Sequence, residues 1–463
     1  MRTNIRPFKT DRDTPHILLV NPWIHDFAAY DFWAKPIGLL YLAAVLREHG
    51  YRVSYIDCLD RFHPRAARVD PGARFGRGPY LKIRIPKPRG LEDVPRIFSR
   101  YGIRPEWFTQ DLQSMIKPDL VLITSMMTYW CGGVKETIEI IRSVFPETPV
   151  VLGGIYANLC YDHARRFAGA DRVFSGQGEA AILEIAGNHT GFRPGPRFDP
   201  VNPDTYPLPA FDLQNRVSYI PILTSRGCPF SCAYCASRFL NPHRQLRDAS
   251  LVADEIRYWN GTYGVLDFAF YDDALLVDAE RHAALLFEKI IDANLGIRLH
   301  TPNAVHIREI TNSTALLMKA AGFETIRLGL ETAAFEDRHE MDRKVTETEF
   351  KRAVSCLKDA GFDKKQVGAY LLVGLPGQSI TSVLRSIDMI KQYGITPVPA
   401  HYSPIPHTVL WERAVAASRY DLEANPVFSN NAVFPCSKEP FSWDVLTRLK
   451  DRIALDPDKG SDI

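Results

Sequence analysis

Two hydrophobic periods alternate along the first 190 residues. Short apolar runs recur at "HILLVNP" (16–22), "YRVSYID" (51–57), "DLVLITS" (119–125), "PVVLGGI" (149–155) and "ADRVFSGQGE" (170–179), each with the length and content of a buried strand. Helical patterns lie between them. In "IGLLYLAAVLREHG" (37–50), Ile37, Leu40, Tyr41, Ala44 and Val45 share one face and Gly50 closes the helix; a second pattern covers 134–144. This alternation predicts a doubly wound, flavodoxin-like (Rossmann-like) sheet over 1–190, with ligands bound beyond the carboxyl ends of its strands. Those ends read "TSMMTYW", "GGIYAN" and "SGQGE". Ser125, Met126, Gly153, Gly154, Gly176, Gly178 and Glu179 are the candidate binding residues there, the small ones clearing space over one sheet edge. No G-x-G-x-x-G and no P-loop accompanies them, so a small nucleotide is not the expected ligand.

A Pro-rich stretch, 191–213, reads as a linker, and the pattern then restarts. Over 214–410, strand candidates at 221–225, 266–273, 297–302, 325–331, 367–375 and 396–406 alternate with helices, among them 250–259, 278–293 and 313–321. Six such repeats predict a parallel sheet with helices outside, a partial or full β/α barrel whose active site lies at the carboxyl ends of the strands. Residues 61–110 form a basic insertion in the first domain, and 411–463 a carboxyl-terminal extension without a readable motif. The insertion is either a solvated surface segment or a loop that shields cofactors or holds an anionic substrate.

Composition narrows the class. A chain of 463 residues with 46% hydrophobic and 24% charged content is globular and long enough for two or three domains. A net charge of +2 gives no single-sign field for nucleic acid. The first sixteen residues carry no apolar core of a signal peptide, and no run approaches a membrane span, so a cytoplasmic protein is expected.

The cysteines carry the sharpest signal. Five of the eight are scattered, whereas Cys228, Cys232 and Cys235 fall within "RGCPFSCAYCAS" (226–237), between a predicted strand and a predicted helix. An odd trio is not a disulfide set in a reducing compartment, and structural zinc normally takes four ligands. Three thiolates suit three irons of a [4Fe–4S] cube whose fourth iron stays open. The spacing, with Tyr234 before the last cysteine, resembles the C-x3-C-x-aromatic-C motif of the radical S-adenosylmethionine (SAM) superfamily. The resemblance implies that the open iron chelates SAM and that the reduced cluster cleaves it to a 5′-deoxyadenosyl radical.

Further segments resemble the same superfamily. "FYDDALL" stands where a Gly-Gly-Glu-like element often holds the SAM ammonium, which implies that Asp272 or Asp273 does so; a helix N-cap is the other reading. The resemblance also places Tyr234, Glu331 of "GLE", and Gly374 and Pro376 of "GLPGQ" beside SAM. "HYSPIPHT" resembles a PxPGT segment, with His407 where the glycine would be. His300 and Asn303 end the third strand and are candidate substrate contacts, although a satisfied barrel histidine is the other reading of His300.

"KPIGLLYLAAVLREHGYRVSYID" resembles the cobalamin-binding domain that precedes many radical SAM domains. The Asp-x-His-x-x-Gly motif that supplies a cobalt-ligating histidine is absent, so the resemblance implies cobalamin held without such a ligand, or a degenerate domain that binds none. The implied function is a cobalamin-dependent radical SAM enzyme, with methylation of an unactivated carbon as the expected outcome. A non-methylating rearrangement or cyclisation is the alternative. Expected partners are an unknown small-molecule or peptide substrate and an electron donor such as flavodoxin or ferredoxin, with no nucleic acid and no membrane span.

Overall fold

The computed structural model describes residues 14–342 and 344–455. The chain forms two compact units, and neither is continuous in sequence. One takes the chain up to Ile24, Pro36–Ala67 and Gly102–Asn215; the other takes His25–Lys35, Arg68–Tyr101 and the chain from Arg216 onward.

The first unit is a five-stranded parallel sheet of β1 (His16–Asn21), β2 (Arg52–Asp57), β3 (Leu120–Ile123), β4 (Val150–Leu152) and β5 (Arg172–Val173), in the order β2-β1-β3-β4-β5. That is the flavodoxin-like order, reversing direction between β1 and β3. All of β1 and β3 is buried, because helices cover both faces. Ile17, Leu19, Leu120 and Leu122 pack with helices Ile37–Glu48 and Gly178–Thr190, whereas Leu18, Val20, Val121 and Ile123 pack with helices Pro105–Ser114 and Cys131–Val144. Period-two alternation thus sends successive residues of each strand into two separate cores.

The second unit holds β6 (Ile220–Ile222), β7 (Asp267–Phe270), β8 (Arg298–His300), β9 (Phe323–Glu331), β10 (Val367–Val373) and β11 (Thr396–His401), paired in parallel and in sequential order. This is an open β/α barrel. On the helix side Phe270, Phe287 and Phe323 form an aromatic cluster, with the Phe287 and Phe323 centroids 5.0 Å apart.

The structure adjusts two predicted elements. The strand expected over 221–225 stops at Ile222, because the Thr224 N–H donates to the Asp272 carboxylate instead of the ladder. The helix expected from 278 begins at Ala283, because Asp278 is left-handed (φ 56°) and His282 is non-helical, its Nε2 lying 2.8 Å from Thr224 Oγ1. The basic insertion also divides: residues 68–101 belong with the barrel. Leu91, Val94 and Phe98 share a core with Tyr402, Val427 and Phe441, so the insertion and the carboxyl-terminal extension pack as one body on that unit.

Candidate active site

The cysteine loop leaves the barrel after a short pairing of Ser225–Arg226 with Gln245–Leu246. Gly227 makes the turn at φ 79°, where a Cβ would meet the His243 carbonyl oxygen at 2.9 Å; only glycine fits. The loop is pinned from both sides of Ala233: its N–H donates to the Met341 carbonyl at 2.8 Å, and its carbonyl accepts from Leu410 N–H at 2.9 Å. All three cysteines are free thiols, with Cys232 buried and Cys235 exposed. Burial pushes each thiol up from its ordinary value; at Cys232 the Lys344 ammonium opposes this. Ligation by metal deprotonates such thiols outright. Among the described residues, no three Cys, His, Asp or Glu side chains close around a single-ion point. A cube spaces its thiolates one to an iron, so three thiols in one braced loop fit [4Fe–4S] better than a four-ligand zinc.

Beside the loop, at the carboxyl ends of the strands, lies a cavity of about 280 Å³. Asp273, Asn303, His306, Gly329, Lys344 and Tyr370 contribute to its wall. His306 stacks on Phe230 at 4.7 Å, and its Nε2 lies 3.9 Å from Cys228 Sγ. Burial lowers the imidazole to about 3, so it is neutral. Lys344 Nζ donates to Tyr234 Oη at 3.3 Å, and Tyr234 in turn donates to Asp342, which pairs with buried Arg338 at 2.8 Å. Burial works against the Lys344 charge, yet Cys232 and Glu331 hold its value above the ordinary one. Burial likewise raises Glu331, which sits at φ 65° at the end of β9.

The predicted SAM residues therefore separate. Tyr234 and Glu331 belong to the Lys344 network, and Asp273 and Asn303 line the cavity. Asp272 is a correction: its buried carboxylate is taken by Thr224 N–H, Thr224 Oγ1 (2.7 Å) and Ser225 Oγ (2.6 Å), so it braces the strand end. His300 is a second correction. It is fully buried on the inner sheet face, 3.1 Å from both Asp267 and Thr325 and stacked on Trp33 at 4.4 Å, which is the satisfied barrel histidine and no cavity contact. Gly374 turns at φ 90° with its N–H on Gln378 Oε1, and neither it nor Pro376 is among the cavity residues. His407 adopts φ 66°, the left-handed conformation that glycine takes without strain, and stacks on Phe239. Sequence reasoning missed Lys344 and His306; neither stands in a recognisable motif.

In the first unit the glycines shape the strand ends. Gly154 has φ 91°, and a Cβ there would lie 2.4 Å from the Ser125 carbonyl oxygen. The Ser125 hydroxyl donates to the Gly153 carbonyl at 2.7 Å, so buried Ser125 braces the edge, while a Cβ on Gly153 would point into open space. Gly176 turns at φ 129° with its N–H on Asn158 Oδ1 at 2.6 Å, making Asn158 a further missed residue. Gly178 lets helix Gly178–Thr190 approach Leu42, and Glu179 is buried in its first turn; Met126 is half-buried. Glycine backbone at the ends of β4 and β5 leaves room there for a ligand. The histidine of "YDHARRF", His163, is engaged 2.7 Å from Tyr156 Oη.

An open β/α barrel with three thiols at its carboxyl end, joined to a flavodoxin-like sheet with a glycine-cleared edge, defines a two-cofactor enzyme of the radical SAM class. The comparisons agree. The Radical SAM superfamily model matches residues 222–390, and the B12 binding domain model matches 102–186. The chain belongs to the radical SAM enzymes that carry a B12-binding domain. It is 23% identical over 448 residues to the cytidylyl-2-hydroxyethylphosphonate methyltransferase of Streptomyces wedmorensis, covering 82% of this chain and 78% of that one. It is 26% identical over 336 residues to the anaerobic magnesium-protoporphyrin IX monomethyl ester cyclase of Rubrivivax gelatinosus, covering 64% and 58%. In fold it is similar to the radical SAM methyltransferase TsrM of Kitasatospora setae, solved with cobalamin and a [4Fe–4S] cluster, with a TM-score of 0.64, 18% identity and 88% and 76% coverage. It is also similar to the cobalamin-dependent radical SAM enzyme OxsB, with a TM-score of 0.58, 12% identity and 96% and 63% coverage.

Proposed function

We propose that the protein is a cobalamin-dependent radical SAM methyltransferase acting on an unactivated carbon of a small-molecule or peptide substrate. The observation that carries this reading is the braced three-thiol loop opening onto the 280 Å³ cavity, in a chain that also holds a glycine-cleared flavodoxin-like sheet. When bound, the cluster and SAM supply a 5′-deoxyadenosyl radical and cobalamin supplies a transferable methyl group. The chain's own part is placement. Cys228, Cys232 and Cys235 hold the cluster. Asp273 presents a carboxylate to the cavity, suited to an ammonium. Lys344 balances the negative charge that thiolates, Glu331 and Asp342 bring together. Asn303 is tied to the Tyr271 carbonyl at 2.9 Å, which sets the position of the β8 loop along the wall.

The 26% identity to a cyclase favours a second reading, cobalamin-assisted ring formation on the same residues. No helix among the described residues is long and apolar enough to cross a membrane. An oxygen-sensitive cluster suits the reducing cytoplasm, with a flavodoxin or ferredoxin as electron donor. The test is anaerobic reconstitution with iron, sulfide and hydroxocobalamin, then reductant and SAM. The reading requires 5′-deoxyadenosine together with about one corrinoid per chain. With a substrate in hand, a mass gain of one methylene separates methylation from cyclisation. Deoxyadenosine without corrinoid would remove cobalamin from the proposal.

A further inference from the structure

Each thiol of the cysteine loop faces a hydrogen-bond donor of its own. Cys235 Sγ accepts from Ser237 N–H at 3.4 Å, and the Lys344 ammonium reaches Cys232. Cys228 faces two: the Phe230 N–H, and the His306 ring, whose Nε2 lies 3.9 Å from Sγ. The Ser237 and Phe230 donors are backbone groups of the loop itself. Lys344 also serves Tyr234 and Glu331. His306 reaches the loop from the segment that follows β8.

Backbone pairing and stacking fix the place of that ring. Val305 forms a parallel bridge with Leu328 of β9: its N–H donates to the Arg327 carbonyl at 2.7 Å, and its carbonyl accepts from Gly329 N–H at 3.1 Å. The next residue therefore leaves the sheet in a set direction, and its imidazole lies on the Phe230 ring with centroids 4.7 Å apart and planes 26° from parallel. His306 lines the cavity and is only 8% exposed. Its Nδ1 is buried and has no hydrogen-bond partner among the described residues. The hydrogen bond made by one ring nitrogen normally decides which of the two carries the proton. At His306 no protein acceptor draws the hydrogen to Nδ1, so Nε2, the nitrogen beside Cys228, is free to carry it.

Iron ligation makes the Cys228 sulfur a thiolate, which accepts and cannot donate. We propose that His306 is a positioning residue of the cluster: its Nε2–H donates to the Cys228 thiolate and raises the reduction potential of the [4Fe–4S] group. Reduction adds one negative charge, part of which falls on the sulfurs. A donor held against a sulfur therefore stabilises the reduced form more than the oxidised one, and electron uptake becomes easier. This inference deepens the proposed function, since it rests on the three thiols holding that cluster.

The test compares the wild type with His306→Phe, which keeps a ring on Phe230 but has no N–H, and with His306→Gln, which keeps a donor. The proteins are reconstituted anaerobically and titrated with reductant. EPR counts the reduced cluster, and iron and sulfide are measured on the same samples. At equal cluster content and equal applied potential, the reduced-to-oxidised ratio of His306→Phe is expected to fall about tenfold, a downward shift of about 59 mV for one electron, with His306→Gln in between. Labelling the histidines with heavy nitrogen gives a reading that needs no variant. Pulsed EPR of the reduced wild type should show a weak coupling to labelled nitrogen, carried through the N–H···S bond, and His306→Phe should lose it. An unchanged potential in His306→Phe at full cluster content, or no labelled-nitrogen coupling in the wild type, overturns the role of His306 and leaves the proposed function standing. Wild-type protein that takes up no cluster overturns the proposed function instead.

Discussion

Two adjacent aspartates, Asp272 and Asp273, are predicted to fail in different ways when truncated. The Asp272 carboxylate accepts from one backbone N–H and two hydroxyls, all buried. In Asp272→Ala the hydroxyls can rotate toward other acceptors, but the Thr224 N–H cannot turn. An orphaned buried donor costs about 1–3 kcal/mol, and the lost charge-assisted bonds add a similar amount. A local destabilisation of about 3 kcal/mol follows, roughly a hundredfold in the opening equilibrium of the strand end. Hydrogen exchange read by mass spectrometry over 218–232 should speed up by that factor, and iron content should fall because the cysteine loop starts there. Asp273 lines the cavity and interacts with Gly227 N–H and Ser237 of the cysteine loop, so Asp273→Ala should leave exchange at Thr224 unchanged while loosening that loop. It should weaken SAM binding by about 10- to 100-fold, the worth of one charge-assisted hydrogen bond. The reasoning fails if Asp272→Ala leaves exchange untouched but loses SAM affinity, because Asp272 would then be the ligand and Asp273 the bystander.

Two further outcomes concern the first unit. Gly154→Ala must place a Cβ 2.4 Å from the Ser125 carbonyl oxygen at a backbone angle that only glycine adopts freely, a combined cost of about 2–6 kcal/mol. The urea midpoint of that unit should drop and bound corrinoid should be lost; an unchanged midpoint would mean that the edge is soft. His163 is lowered to about 4 from 6.5 by burial first and Arg166 second. Because the folded value lies below the unfolded one, the unfolded chain binds more protons between about 4 and 6.5, and stability rises with pH across that window. Urea titrations should show stability lost as pH falls from 6.5 toward 4, and His163→Gln should flatten part of that loss. His16, which burial also lowers, contributes to the remainder. A His163→Gln profile as steep as the wild type would remove His163 from the account.

What the sequence made legible, and what it hid, divides along the direction of each side chain. Parallel strands buried on both faces read as continuous apolar runs, so both sheets and their order were accessible from local pattern. The cysteine loop was accessible because three thiols within eight residues have few other uses. The two adjacent aspartates were not separable, since the choice depends on Thr224 and Ser225, 48 and 47 residues from Asp272, reaching one carboxylate first. His300 was ambiguous for the same reason: its partners Asp267, Thr325 and Trp33 come from three distant segments. The inner face of the barrel was the least readable region. Its wall alternates polar residues, Asp267, Arg298, His300, Thr325 and Arg327, which a strand pattern assigns to solvent. They are not left to solvent because His25–Lys35 and Arg68–Tyr101, remote in sequence, join that unit and bring Trp33, Phe75 and Arg77 against them.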